Sequence, residues 1–572
     1  MKFSFTITKL NFLGFKVSKF LKKKMKKIYF SIFSFLVFIY TNSQTVGLLQ
    51  HDNGTLDDGY VLFAPINYYT TYLIDKCGKQ VKTWTSNYKP GQSVYILEDG
   101  TLLRTGNANN TTFNAGGKGG VIEKIDWNGN VIWSYTISDA LNCQHHDVKA
   151  LPNGNVLAIV WEKKTVAEAI AQGRNPNLIS SSVWSEKIIE IQPVSLTGGT
   201  IVWEWHLWDH LVQDYDASKP NFGIVASNPQ RIDLNFAATA NTEDWQHLNA
   251  IDYNATLDQI VLSSHNSDEI WIIDHSTSTA QAATNSGGNS NKGGSILYRW
   301  GNPQSYDNGT ASDQKLFGQH NVHWIESGLP FENQIMIFNN GNGRTGGNYS
   351  TVEIINPPVN GFEYTATLPY LPLSTSWIYN QNNSQNWYTQ NISGAQQLSN
   401  GNVLVCSGPT GTFFEVDASG TTLWKYINPV NTNGIINQGT APTQNTVFRA
   451  SFYPYNYIGF KNQTFTTGSI IENSNTISNS CTLSLSLTDN TALKDIIVYP
   501  NPTNKELNIS ISELNATKFA IEMVNSLGQI IFTKSVDSNQ TTIATDILPK
   551  GIYFVKVSSE LKTKTFKIIV EK

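Results

Sequence analysis

The stretch Ser93–Tyr135 reads SVYILEDGTLLRTG and, further on, GGVIEKIDWNGNVIWSY. Its first half is a strand, a turn at Glu98-Asp99-Gly100 and a second strand. The second half repeats that plan around Asn128-Gly129, a strong hairpin signal because both turn positions tolerate positive φ. Four short strands in meander order result. The pattern returns along the chain at a spacing of some tens of residues. Tyr60–Trp84 opens with YVLFAP and TTYLIDKCGKQVKTW; His146–Trp205 contains HDVKALPNGNVLAIVW, EKIIEIQ and TIVWEW. His247–Trp300 contains HLNAIDYNATLDQIVLSS, EIWIIDHS and GSILYRW. His320–Leu368 contains HNVHWIESGLPFENQIMIFNN, STVEIIN and a last strand FEYTATL; Ser393–Ile427 contains SGAQQLSNGNVLVCSG and GTFFEVDASGTTLWKYI. Several units end in a Trp-bearing strand, at Trp84, Trp133, Trp203, Trp300 and Trp424. Six such units predict an all-β fold, a six-bladed β-propeller over residues 44–460, because radial repetition leaves only short, protected edges. Val447–Phe460 is a candidate for the strand that closes the ring. An open β-solenoid is the alternative, with shorter and more uniform repeats.

Composition agrees with this reading. Aromatic residues make up 12% of the 572 and charged residues only 15%, so core-forming side chains are plentiful and the surface is weakly charged. A formal net charge of −4, without a basic tract beyond the N-terminus, argues against nucleic acid as a partner. Lys22–Lys24 and Lys26–Lys27 precede an apolar run at Ile28–Tyr40 and small residues at Thr41-Asn-Ser43. The run is shorter than the ~20 residues of a membrane span, so residues 1–43 read as a cleaved signal peptide, with Met25 an alternative start. Cys77, Cys143, Cys406 and Cys481 show no metal-ligand spacing. Disulfides are permitted outside the cytoplasm, and buried hydrophobes are an equally good reading of each.

Long inserts interrupt the repeats at Lys164–Ser182, Asp209–Glu243 and Ser276–Gly294, with a brief helix expected at Ala167–Gly173. They would cap one mouth of the ring. Residues 461–492, rich in Ser, Thr and Asn, read as a linker. Residues 493–572 form a separate module, with strands expected near Asp495–Tyr499, Leu507–Ile511, Phe519–Asn525, Ile530–Lys534, Gly551–Val557 and Thr563–Val570. A small β-sandwich fits.

All ten histidines lie between positions 51 and 323. His146, His247 and His320 each precede or open the first strand of a unit, in QHHDVKAL, WQHLNAID and GQHNVHW. First strands line a propeller's channel, so three matched positions point into one mouth. Any one of them alone reads most simply as an imidazole bonded to buried backbone. Together they offer two chemistries: a metal held by three imidazoles, or a neutral nitrogen as nucleophile with the others clamping an anion. Spacing does not separate these, as no HxH or HExxH pair occurs.

Residues from about Tyr60 to Val430 resemble the bacterial arylsulfotransferases that work without a nucleotide sulfate donor. The resemblance is carried by HHDVKALPNGNVL (His145–Leu157), DWQHLNAIDYN (Asp244–Asn254), IVLSSHNSDEIWIIDHS (Ile260–Ser276), LYRWGNPQSY (Leu297–Tyr306), KLFGQHNVHWI (Lys315–Ile325), FNNGNGR (Phe338–Arg344) and SGAQQLSNGNVLVCSGPTGTFFEV (Ser393–Val416). It implies a six-bladed propeller that moves a sulfuryl group from an aryl sulfate to a phenol through a sulfohistidine, with no metal and no cofactor. By motif, His320 falls on the nucleophile and His146 and His247 on two supporting histidines, with His145 one residue away. His265 falls where the family carries an arginine, a departure that predicts weaker or more acid-dependent transfer. Arg344 and Arg299 read as structural. The competing class is an extracellular propeller that binds a phenolic, sulfated or glycan ligand without turnover. The C-terminal module, through VYPNPTNKELNI (Val498–Ile509), MVNSLGQII (Met523–Ile531) and LPKGIYFVKV (Leu548–Val557), resembles the type A sorting domain of the type IX secretion system. That implies passage across the outer membrane and secretion or surface attachment.

Overall fold

A computed structural model describes residues 44–473 except 53–54, 366 and 467, then residue 481, then 496–571 except 512–518, 526–528, 537, 539 and 560–561. The expected signal peptide and residues 467, 474–480 and 482–492 of the expected linker lie outside the described residues. The chain divides into two compact units, Met1–Ser478 and Asn479–Lys572. With 46% strand and 7% helix it is all-β, as its repeats predict.

Among its described residues the first unit contains six four- or five-stranded antiparallel sheets in meander order, beside three two-stranded ones. The second is Pro90–Ile96, Leu102–Asn107, Gly120–Ile125, Val131–Thr136, and the third Asn142–Ala150, Val156–Thr165, Ser182–Val194, Gly198–His206. The fourth is Leu248–Asn254, Gln259–Ser264, Glu269–Asp274, Tyr298–Trp300, and the fifth opens with His320–Trp324, Ile335–Asn339, Thr351–Ile355. The sixth is Gly394–Gln397, Val403–Ser407, Thr412–Val416, Thr422–Ile427, with Gly47–His51 added on its outer edge. The first sheet is completed from far along the chain: Val447–Pro454 pairs with Gly59–Pro65, which continues to Thr70–Asp75 and Gln80–Thr85.

Leading strands touch in succession, and the contacts return to their start. Tyr95 Oη donates to Asp147 at 2.6 Å, Ile251 N–H to Asp147, Trp324 N–H to Asp252, and Ala395 N–H to Asn321. Phe452 N–H donates to Gln396, and Ile96 N–H to the Tyr453 hydroxyl. At the outer edge the repeated tryptophans do related work. Trp84 Nε1–H donates to Asp126 O, Trp133 to Gly198 O, Trp203 to Thr277 Oγ1, Trp300 to Pro372 O and Trp424 to Lys76 O, each toward the following sheet. Between sheets lie continuous apolar layers, such as Leu157, Ile159, Ile188 and Trp205 against Leu248, Ile260, Leu262 and Trp271. Each fully buried side chain of this size contributes roughly 1.5–3 kcal/mol.

One element differs from expectation. The fourth strand of the fifth sheet is Trp377–Tyr379, not Phe362–Leu368. Val359–Asn360 and Glu363–Tyr364 instead close a small hairpin, and Tyr364 docks across the neighbouring sheet with its hydroxyl on Gln259. Pro369 and Pro372 follow and lack the N–H groups a ladder requires. The expected helix is Val166–Ala171, closed by a reciprocal capping box between Thr165 and Glu168. Within the expected linker, Phe465 stacks on Tyr60 and residues 468–470 bond to Gln80 and Lys79.

The second unit has a three-stranded sheet (Ile496–Tyr499, Glu506–Ile511, Gln540–Ala544) and a four-stranded one (Ile530–Val536, Phe519–Asn525, Gly551–Ser559, Lys562–Val570). Both bury residues in one core that includes Leu507, Ile509, Ile521, Met523, Val555 and Ile568. Gln540–Ala544 was not among the expected strands. No helix among the described residues is long and apolar enough to cross a membrane.

Candidate active site

The four singled-out histidines stand side by side. Ring centroids are 4.6 Å apart for His146–His247, 5.3 Å for His247–His265 and 5.4 Å for His265–His320. Backbone irregularity places them. The leading strands of the third, fourth and fifth sheets each slip register near the histidine, with left-handed φ at His146 (50°), His247 (53°) and Asn321 (50°). A bulge of this kind re-aims a side chain that regular alternation would send elsewhere. Gly117, at φ 83°, lies against the His146 ring, where a Cβ would come within 1.9 Å of it.

Each ring is held at Nδ1 by a partner that fixes its role. Asn340 donates both amide hydrogens, to Thr389 O and Ile392 O, so its Oδ1 accepts from His320 Nδ1–H at 2.8 Å. His320 therefore presents an unprotonated Nε2. Asn266 is fixed likewise by Asp244 O and Trp245 O, takes His265 Nδ1–H at 2.8 Å, and leaves a lone pair on His265 Nε2. His247 Nδ1 meets Asp244 Oδ2 at 2.5 Å, while Asp244 Oδ1 accepts from Trp161 Nε1–H. His146 Nδ1 meets His145 Nδ1 at 2.9 Å, and His145 Nε2 meets Glu186 Oε2 at 2.7 Å. His145 itself turns away and stacks on Trp161 at 3.9 Å. His146, not His145, adjoins His247.

Electrostatics separate these rings. Burial pushes His320 well below the usual histidine range, and any protonation of His265 would push it further, so the ring is neutral at pH 7. Burial and then His247 lower His265 to about 4, and burial depresses His146 and His145 strongly. For His247 burial also opposes the charge, but the Asp244 carboxylate outweighs it and the pKa is raised. The site thus holds one favoured cation among neutral imidazoles.

The arginines of the sequence reading are bound elsewhere. Arg299 pairs with Glu269 and donates to Pro229 O and Arg231 O; Arg344 bonds Tyr349 O and Thr351. Arg449, which the sequence reading passed over, lies on the leading strand of the first sheet and donates to Tyr95 Oη and Asp147 Oδ2. Its neighbour Phe448 packs 6.1 Å from His146. Two cavities, of about 570 and 320 Å³, are lined by Tyr95, Lys149, Tyr253, Glu326 and Gln396 rather than by the four histidines. Cys143 and Cys406 are free, buried thiols, pushed up by burial to about 11 and about 12.

The family model for arylsulfotransferase (ASST) matches residues 50–457. The chain belongs to the arylsulfotransferase family. A second family model, the secretion system C-terminal sorting domain, matches residues 497–571. This domain marks the arylsulfotransferase-family chain for export across the outer membrane, to the cell surface or the extracellular space. No protein of curated function matches the chain. Among solved structures it is similar to a protein of unknown function from Bacteroides caccae, at 10% identity over 69% of this chain and 98% of that one, with a TM-score of 0.38. It is also similar to Kuenenia stuttgartiensis hydrazine synthase, at 12% identity over 53% and 68%, with a TM-score of 0.30.

Glu186, Asp244, Asn266 and Asn340 were not among the sequence candidates. Asp244, Asn266 and Asn340 stand inside the matching motifs, but nothing in their spacing announces which imidazole each will hold. Glu186 lies 41 residues from His145, and only the fold brings them together.

Proposed function

We propose that the six sheets are the blades of a propeller and that this protein transfers a sulfuryl group from an aryl sulfate to a phenol through a sulfohistidine on His320. The observation that carries the reading is the Asn340-fixed tautomer of a neutral His320 beside three further imidazoles. The cyclic order of contacts between leading strands supports the propeller. In the first half-reaction His320 Nε2 forms an N–S bond as the S–O bond to the aryl group breaks, and the aryl oxygen leaves with the electron pair. In the second, a phenol oxygen attacks sulfur and the imidazole departs. Charge develops on the sulfuryl oxygens, and positioned donors stabilise it. His247, cationic against Asp244, is the principal one. His265 replaces the family's arginine with a ring whose free Nε2 carries a lone pair, so it clamps an anion only when protonated. The proposed organisation around this core is a signal peptide at 1–43, the propeller at 44–460, a linker at 461–492 and a β-sandwich sorting domain at 493–572.

Intact mass after brief exposure of the purified protein to nitrophenyl sulfate at about pH 6, on the acid side of histidine's ordinary ~6.5, tests this directly. A gain of one SO₃ group, lost in His320→Ala, is the expected result. The neutral His265 favours a second reading, a propeller that binds phenolic, sulfated or glycan ligands without turnover. Saturable binding of nitrophenyl sulfate with neither mass gain nor nitrophenol release would decide for it.

A further inference from the structure

Behind His146 stands a line of groups that sulfuryl transfer, as set out above, leaves unused. Glu186, His145 and His146 are all buried, Glu186 and His145 completely. Glu186 Oε1 accepts Leu248 N–H at 3.0 Å, so any carboxylic proton sits on Oε2, facing His145 Nε2 at 2.7 Å. His145 Nδ1 faces His146 Nδ1 at 2.9 Å, which leaves His146 Nε2 at the far end. Among the described residues this nitrogen takes no protein hydrogen bond, and His146 is nearly but not completely buried, at 2% exposure. A sealed row of three titratable groups with one open end is a path for a proton.

We propose, on the strength of the sulfuryl-transfer reading, that Glu186, His145 and His146 form a buried relay that gives a proton to the departing phenolate in one half-reaction and recovers it from the incoming phenol in the other. In the resting relay Glu186 is the neutral acid. Its Oε2–H donates to His145 Nε2, His145 Nδ1–H donates to His146 Nδ1, and His146 Nε2–H faces the reacting aryl oxygen. When the S–O bond breaks, the phenolate takes the His146 Nε2 proton. The His145 Nδ1 proton moves to His146 Nδ1, and the Glu186 proton moves to His145 Nε2. The balance is one O–H bond lost at Glu186 and one gained by the phenol, with both imidazoles neutral before and after. The acceptor's proton reverses each move. The groups facing this row agree with a neutral resting state: burial and then the Asp244 charge raise Glu186 well above the carboxylate range. His146 is faced by His247, His145, His320 and His265, and burial with those neighbours disfavours its cation. Glu186 and His145 act through His146, so they are positioning and relay residues.

Glu186→Gln tests the relay, because a glutamine amide still accepts Leu248 N–H and donates to His145 Nε2 but has no proton to release. Phenyl sulfate, whose phenol has a pKa near tyrosine's ~10, needs leaving-group protonation far more than nitrophenyl sulfate. We expect Glu186→Gln to slow formation of the sulfuryl enzyme about 100-fold with phenyl sulfate, the lower end of general-acid effects, and much less with nitrophenyl sulfate. Equal losses with the two donors overturn the relay while leaving transfer intact. Wild-type protein gives the second measurement, independent of how the variant folds: a larger D₂O slowing with phenyl than with nitrophenyl sulfate is expected, and equal slowing overturns the proposal. Wild-type protein that takes up no sulfuryl group from either donor removes the transfer reading, and the relay with it.

Discussion

At His320 the two ring nitrogens meet different surroundings, and the Asn340 amide, held by two backbone carbonyls, assigns the hydrogen to Nδ1. Asn340→Asp puts a carboxylate in that place, which favours the imidazolium and raises the pKa. Sulfuryl uptake in that variant should fall at pH 6 and recover as the pH rises; burst amplitudes across pH 5–9 read this. In the wild type the dependence has the opposite sign. His320 is already neutral because its pKa is depressed, so acid costs little. His247 must keep its charge, and its pKa is raised, so activity is present at and below the ordinary ~6.5 and is lost as the pH climbs through the raised value. His265→Arg supplies a cation that does not titrate and should extend activity to pH 9; an unchanged profile would count against an anion-clamping role at this position. His146, His247 and His320 were legible because they recur at matched points of a repeat, whereas His265 came only through the family resemblance. Their partners were not, because hydrogen-bonding amides and carboxylates carry no periodicity of their own. The same holds for Gly117, whose need for glycine appears only when His146 is seen against it.

Sheets of this kind hold to one another through a few polar clasps set in apolar layers. His275 is one, its Nδ1 on Asp258 and its Nε2 on Glu190 of the preceding sheet, and these partners overcome burial to raise it to about 9. A folded pKa above the unfolded ~6.5 contributes stability that is complete below pH 6.5 and is lost as the pH rises through about 9, on the order of 3 kcal/mol. The melting temperature should decline across that window, and His275→Gln should flatten the decline. Tryptophan clasps act similarly: Trp133→Phe removes the donor to Gly198 O and should cost ~1–3 kcal/mol in denaturant unfolding. Strand-turn-strand units were readable wherever Asn-Gly or Asp-Gly punctuated apolar alternation. The fifth sheet's last strand was misread because Phe362–Leu368 has strand chemistry, yet Tyr364 finds a better site on the fourth sheet. Gly47–His51 escaped notice because an added edge strand has no repeat to belong to.

Two units with different tasks share the chain, and both were visible as blocks of turn-punctuated strands with a low-complexity stretch between them. What composition did not reveal is that the stretch begins by packing on the first two sheets, through Phe465 against Tyr60 and Trp127. Removing Val447–Pro454 should abolish cooperative unfolding of the whole first unit, not merely loosen one sheet, since that strand alone completes the pairing with Gly59–Pro65. A calorimetric transition that survived intact would contradict this. The same late strand also carries Phe448 and Arg449 to the side of His146 and Asp147. Nearly four hundred residues must therefore leave the ribosome after Gly59 before its sheet can be finished. For a chain exported across the outer membrane, that order withholds the assembled centre until the polypeptide has run through its closing strand.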